Sequence, residues 1–328
     1  MTTAQLLVGL DTQTKFYWLM GGIAGLLLIA SLIGAVLQKK LLKSDHADEK
    51  KQKVIANLIA RVNAWWVMVA IFATAYIAGK LGTILLFTAI SYFALREFIT
   101  LTPTRRGDHL TLSFTFFLLL PLHYYLIYIE WYSLFTILIP VYAFLFMPCI
   151  AVLAQEVDFF LERTAKIQWG VMVAVYCISH APALLILNIP GYDGQNALLL
   201  FYFMLIVQMS DVLQYVFGNL FGKSKVAPIV SPNKTLEGLI GGGLSTVAVG
   251  TGMWWITPFT PWQSALMALV IVVMGFLGGL VLSAVKRSIG TKDWGNMIEG
   301  HGGMMDRMDS VSFAAPIFFH LTRYFFTP

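Results

Sequence analysis

Asp306 and Asp309 stand three residues apart near the end of a chain of 328 residues. On a helix that spacing puts two carboxylates on one face, where they offer several oxygens to a hard divalent cation while Arg307 projects away from them. Just upstream are Lys286, Arg287 and Lys292, point charges and a planar fork of the kind that holds phosphate oxygens. Gly300, Gly302 and Gly303 surround His301 and free the backbone to approach a ligand and to aim N–H groups at an anion. Cation ligands beside phosphate ligands imply a metal-bound polyphosphate. The plainer alternative pairs Asp306 and Asp309 with Arg307 and Lys292 and leaves His301 as a loop histidine.

A second cluster runs from Ser210 to Gly238, a glycine- and proline-punctuated loop with three lysines. Asp211 falls in the final turns of an apolar helix, where a lone carboxylate is costly, so a cation or a metal is expected beside it. The stretch Ser231 to Glu237 reads as a capped helix start, with Ser231 as N-cap and Pro232 at the first helical position. Such an N-terminus, with Lys234 next to it, would seat a phosphate. The full Walker pattern is absent, so a P-loop is not indicated. Lys223 and Lys225 read equally as ligands and as juxtamembrane lysines that fix topology or touch lipid headgroups. Ser210, His123, His180 and His320 sit on apolar stretches and are expected to bond backbone or one another.

The elements that position these groups are dictated by composition. The chain is 58% hydrophobic and 12% charged, against about 25% charged in soluble domains. It therefore reads as an all-α, polytopic integral membrane protein. Residues 238–285 contain no Asp, Glu, Lys or Arg, so the charged motif that follows must lie where a span meets water. Polar breaks divide the apolar runs into about ten transmembrane helices, near 16–37, 62–79, 81–98, 111–129, 131–153, 167–188, 196–216, 238–257, 262–285 and 310–327. The first run lacks a small-residue cleavage site soon after it and reads as a retained helix. The pair 62–79 and 81–98 is separated by little more than Gly79 to Gly82 and reads as a tight hairpin; one long helix would invert everything upstream. Cys149 and Cys177 lie in apolar runs and behave as small hydrophobes.

With the N-terminus outside, 19 of the 22 lysines and arginines collect on the inner side, and only Lys15, Lys80 and Arg323 fall outside. Both motif loops then face the cytoplasm, at the membrane border of what would be a bacterial inner membrane. The basic pI follows from this distribution and does not point to nucleic acid. The chain divides into an N-terminal set of helices, 1–195, with a Lys-rich cytoplasmic loop at 38–61, and a C-terminal region, 196–328, that carries both motif loops. A glycine-lined helix with Gly275, Gly278 and Gly279 suits close helix packing and a homodimer.

With these residues in view, the chain resembles the CDP-diacylglycerol synthase, or phosphatidate cytidylyltransferase, family. Ser283, Lys286, Arg287, Lys292, Asp293, Gly295, Ile298, His301, Gly302, Gly303, Asp306, Arg307 and Asp309 all fall on that family's C-terminal signature. Asp211, Tyr215, Phe221 to Lys223 and Ser231 to Gly238 are similar to its upstream elements. The match is specific over about 200–310 and only hydropathic before that. Three positions depart from it. Glu299 stands where the family has Pro or Gly, Gln214 where a small residue is common, and Gly279 where many members carry an Asp.

The resemblance implies that a phosphatidate oxygen attacks the α-phosphorus of CTP, giving CDP-diacylglycerol and pyrophosphate in phospholipid biosynthesis. It implies Mg²⁺ or Mn²⁺, with a second cation beside it, and CTP, phosphatidate and membrane lipids as partners. Asp306 and Asp309, with Asp293 or Asp211, would hold the metal. Lys234, Lys286, Arg287, Lys292 and Arg307 would neutralise phosphates and the leaving pyrophosphate. Ser231, Thr235, Ser283 and His301 would donate or accept hydrogen bonds to nucleotide or phosphate. Two rivals are a CTP-dependent lipid or polyprenol kinase and, given Gly279 and Glu299, a catalytically weakened paralogue acting as a membrane scaffold. A transporter fits poorly, since the apolar helices lack buried charge along their length.

Overall fold

The structure is a computed structural model that describes residues 9–42, 49–297 and 302–328. Apolar runs that must satisfy every backbone N–H and C=O without water form helices. They are α1 (Thr12–Leu42), α2 (Glu49–Ile77), α3 (Gly79–Leu101), α4 (Arg106–Tyr128), α5 (Tyr132–Val152), α6 (Phe160–Ile186), α7 (Asn196–Phe221), α8 (238–252), α9 (Pro261–Ser288) and α10 (Met304–Phe326). The protein is an all-α membrane protein. Eight of the ten are long and apolar enough to cross a bilayer. Of the two other expected spans, α8 is too short, and α10 carries Asp306, Arg307, Asp309, His320 and Arg323 along its 23 residues. Short π-helical turns interrupt α4, α5 and α6 and open α8.

The hairpin between α2 and α3 forms as expected. Gly79 turns the chain at a φ of +69°, a conformation that glycine adopts without the Cβ penalty. Phe72 and Phe87 then meet edge to face at 5.9 Å. The expected loop at 38–61 is largely helical, since α1 runs to Leu42 and α2 starts at Glu49. In contrast to α6, which is mostly buried, α1 and α2 bury almost nothing and face lipid over nearly their whole length.

One buried core runs through α3 to α10, with Phe87, Leu95, Tyr124, Phe135, Phe203, Phe318 and Phe319 among its largest members. Helix α10 packs against α3 and α6 as well as α7 and α9, so it joins the two halves of the chain. The glycines of α9 serve this packing. A Cβ on Gly278 would lie 2.7 Å from the Asp309 carbonyl oxygen, and one on Gly275 would lie 3.3 Å from Ser310 Cβ. The expected dimer face is thus an internal seam, occupied by α10 because small residues let the two backbones approach.

The inter-helix segments sort to two ends. At one end Lys80 pairs with Glu130, Lys15 Nζ donates to Gln195 Oε1 at 2.8 Å, and the Arg323 guanidinium lies 3.5 Å from the Tyr132 ring centre. Lys15, Lys80 and Arg323 were the three cations assigned to a common side. At the other end lie both motif regions and an ion-paired corner in which Arg163 reaches Glu156 at 3.0 Å and Asp108 at 3.6 Å. The apolar-face histidines bond locally, His123 Nε2 with Ser179 Oγ at 2.8 Å and His180 Nδ1 with the Tyr176 carbonyl at 2.7 Å.

Candidate active site

Helix α10 begins at the water border because a carboxylate from far away ends its orphan donors. Glu97, near the end of α3, accepts hydrogen bonds from Met304 N on Oε1 and Met305 N on Oε2, both at 2.9 Å. This is N-terminal capping in trans, with an anion at the positive end of the helix. Gly303 permits it, since a Cβ there would collide with the Glu97 carboxylate. Trp294 is buried beside this cap, its ring centre 5.4 Å from that of Phe98, the residue after Glu97, and tilted against it. Sequence reasoning missed Glu97. The available signal was that it is the only anion in the run 81–98, where a carboxylate needs a partner.

Asp306 faces this loop. Its Oδ2 accepts from Trp294 N at 2.8 Å and Gly303 N at 2.9 Å, and its Oδ1 from Lys286 Nζ at 2.6 Å. Both ends of that ion pair are almost fully buried, at 7% and 11% exposure. Both oxygens of Asp306 are therefore engaged, by three donors in all, and it fastens the end of α9 to the start of α10.

Asp309, one turn on, faces a different space. Its Oδ1 accepts from Ser310 N at 2.7 Å, and its Oδ2 has no donor among the described residues. Asp211 of α7 arrives opposite, with Oδ1 accepting from Ser310 Oγ at 3.1 Å. Two carboxylates thus meet at one site, Asp211 exposed and Asp309 half-buried, where their mutual repulsion calls for positive charge beside them. Lys234 supplies it. Its Nζ donates to the Phe276 carbonyl at 3.2 Å and sits 4.7 Å from the centre of the Phe276 ring. Burial pulls the Lys234 ammonium below the usual lysine range, and the charges of Asp309 and then Asp211 oppose that pull. The field of Arg307 also reaches both aspartates, and its Nε is buried without a hydrogen-bond partner among the described residues.

Lys234 arrives by a route the sequence did not suggest. Residues Ser231–Thr235 form a strand, β2, paired antiparallel with β1 (Lys225–Ala227), so Ser231 is not a helix cap. The following helix starts later, with Gly238 N donating to Thr235 Oγ1 at 3.1 Å. Thr235, buried, is the capping side chain. In the extended strand alternate side chains face opposite ways, so Lys234 can turn inward next to buried Thr235 only because the hairpin edge folds over α7 and α9. Glu237 closes the hairpin by accepting from Lys223 N at 3.0 Å and Ser224 N at 3.1 Å. Its own backbone N–H, then those of Lys223 and Ser224, hold its carboxyl down at about 2.

The remaining expected residues lie around this centre. Ser283 Oγ donates to the Gly279 carbonyl within its own helix at 2.6 Å, and Arg287 Nη1 to the Thr291 carbonyl at 3.1 Å. Arg287 is exposed in the last turn of α9, Lys292 and Asp293 are exposed on the loop that follows, and Lys223 is exposed just before the hairpin, with Ser231 partly covered. His301 and Glu299 lie outside the described residues. Among the described residues no three metal-ligating side chains converge. The expected set Asp306, Asp309 and Asp211 therefore divides, with Asp211 and Asp309 together and Asp306 tied elsewhere. The free oxygens of that pair fit one hard divalent cation.

Residues 59–325 match the sequence profile of the cytidylyltransferase family. The chain belongs to that family. Among relatives of this cytidylyltransferase-family protein, the Escherichia coli K12 protein YnbB, described as uncharacterized, is 35% identical over 303 residues, 91% of this chain and 95% of YnbB. The phosphatidate cytidylyltransferase of Staphylococcus haemolyticus is 41% identical over 127 residues, 38% of this chain and 48% of that enzyme. That of Staphylococcus epidermidis is 43% identical over 115 residues, 34% of this chain and 44% of the enzyme. The chain thus matches about half the length of these named enzymes.

Proposed function

We propose that the protein is a CTP:phosphatidate cytidylyltransferase working at the cytoplasmic border of the membrane. The observation that carries this reading is the Asp211 and Asp309 pair, reached by the charges of Lys234, Lys286 and Arg307, at one end of the helix bundle. Family membership and the staphylococcal relatives supply the choice of nucleotide and lipid. A phosphate oxygen of phosphatidate attacks the α-phosphorus of CTP, the bond from that phosphorus to the β-phosphate bridging oxygen breaks, and pyrophosphate leaves with the electron pair. Such transfers need positioning and charge stabilisation more than covalent help.

Each group then has a role. Asp211 and Asp309 would hold a divalent cation, Mg²⁺ or Mn²⁺, which when bound supplies Lewis-acid stabilisation of phosphate charge. Arg307, with its unpartnered Nε, would reach a phosphate oxygen. Exposed Arg287, Lys292 and Lys223 would draw the triphosphate from water and receive the pyrophosphate. Ser231 and the exposed side of the hairpin would meet the nucleotide, with His301 as a further hydrogen-bonding group and Asp293 beside Lys292 orienting it. Asp306 and Lys286 hold α10 and α9 in register, a positioning role. The diacyl tails of the acceptor stay among the lipid-facing helices.

The test is incubation of detergent-purified protein with CTP labelled on the α-phosphate, phosphatidate and Mg²⁺. Label entering the lipid phase with pyrophosphate release is the expected result. Transfer of γ-label with CDP as product would instead identify a CTP-dependent lipid kinase, and CTP binding without transfer would identify a non-catalytic paralogue.

A further inference from the structure

Gly279 of α9 leaves a gap on the inner wall of the site, and the gap is filled. A Cβ at this position would collide with Lys234 Nζ, and the same point lies 3.8 Å from Asp309 Oδ2. The ammonium therefore stands where a side chain at 279 would begin. Three further contacts make this a built position. The Phe276 carbonyl accepts from Nζ at 3.2 Å, the Phe276 ring lies beneath it at 4.7 Å, and β2 delivers the side chain from a hairpin clamped by Glu237. The charges whose fields reach this ammonium are those of Asp309 from α10 and then Asp211 from α7, with Lys286 from α9 as the opposing charge.

We infer that Lys234 is a resident counter-ion of the Asp211 and Asp309 pair, admitted by the absence of a side chain at position 279, and that it competes with a divalent cation for those carboxylates. The chemistry follows from charge. Two carboxylates brought to one site repel each other and call for about one to two positive charges. A tethered ammonium supplies one permanently, and a divalent ion entering the same site meets it as a like charge. The inference concerns how the pair is neutralised and holds for whichever lipid is the acceptor.

Manganese binding decides it without reference to turnover. Free Mn²⁺ is followed by electron paramagnetic resonance during titration of the purified protein and of Lys234→Met. The mutant is expected to bind Mn²⁺ at least tenfold more tightly, and Asp309→Asn added to it should erase the gain. Lys234→Gln, which keeps a donor for the Phe276 carbonyl, carries the same expectation if the methionine variant does not fold. Equal affinity, weaker affinity, no Mn²⁺ binding by either protein, or a gain that survives Asp309→Asn would each overturn the inference.

Discussion

Two carboxylates on the first turns of α10 lie one helical turn apart and live in opposite surroundings. Asp306 is held by a lysine and two backbone N–H groups, so both its oxygens are engaged. Asp309 shares its site with another carboxylate and keeps an oxygen without a donor among the described residues. A satisfied buried charge holds structure together, and an unsatisfied one stores the capacity to bind. Their sequence spacing is the same as that of a two-aspartate metal site, so only the partners separate the roles.

The widest separation should come from the two asparagine substitutions. Asp309→Asn is expected to lower transfer of α-label to lipid more than about a hundredfold, in line with loss of a preorganised charge at a reacting centre, and to leave the melting temperature unchanged or raised. Asp306→Asn is expected to cost about 3 kcal/mol, because it strands the buried Lys286 ammonium, and to show as a melting temperature several degrees lower. If both variants lost activity with equal loss of stability, the distinction between them would collapse. Glu97→Ala removes the acceptor for two N–H groups of α10 and should destabilise by about 1–2 kcal/mol, as loss of an N-cap does. Glu97→Gln keeps one acceptor and should lose less, which differential scanning of the two variants would resolve.

The smallest effect lies at the closure of the hairpin. Glu237 has a folded-state carboxyl near 2 against an ordinary value of 4.5. A depressed carboxylate contributes stability above its ordinary value and loses it as pH falls, so the hairpin closure should weaken from about 4.5 downward and vanish near 2. The amide resonances of Lys223 and Ser224 should titrate together over that window, and Glu237→Gln should remove the transition.

Much of the fold was legible because its signals are local. Long apolar runs with polar breaks dictate helices, the Gly79 turn announces a hairpin, and the sparse cations at Lys15, Lys80 and Arg323 share an end. Of the site, Asp211 could be read from the cost of a lone carboxylate on an apolar helix, and Asp309 from its three-residue spacing with Asp306. The division between Asp306 and Asp309 could not, because it depends on Trp294 and Lys286 arriving at one and Ser310 and Asp211 at the other. The Ser231 to Thr235 strand carries a helix-start pattern, and pairing with Lys225 to Ala227 overrides it. The glycines of α9 look the same to a partner chain as to α10, and only the fold chooses between them.

The bond from Glu97 to the start of α10 also sets an order of events during synthesis. The two partners are 207 residues apart, so at about 5–20 residues per second the carboxylate waits roughly 10–40 s for them. During that interval the newborn chain holds an uncapped acid at the edge of α3 and no roof over it. Helix α10 emerges after α1 to α9, and its arrival closes both the core and the pocket in one step. A ribosome stalled before residue 304 would leave a bundle already in the membrane with one wall of the pocket missing, a species that quality-control proteases could recognise by that open end.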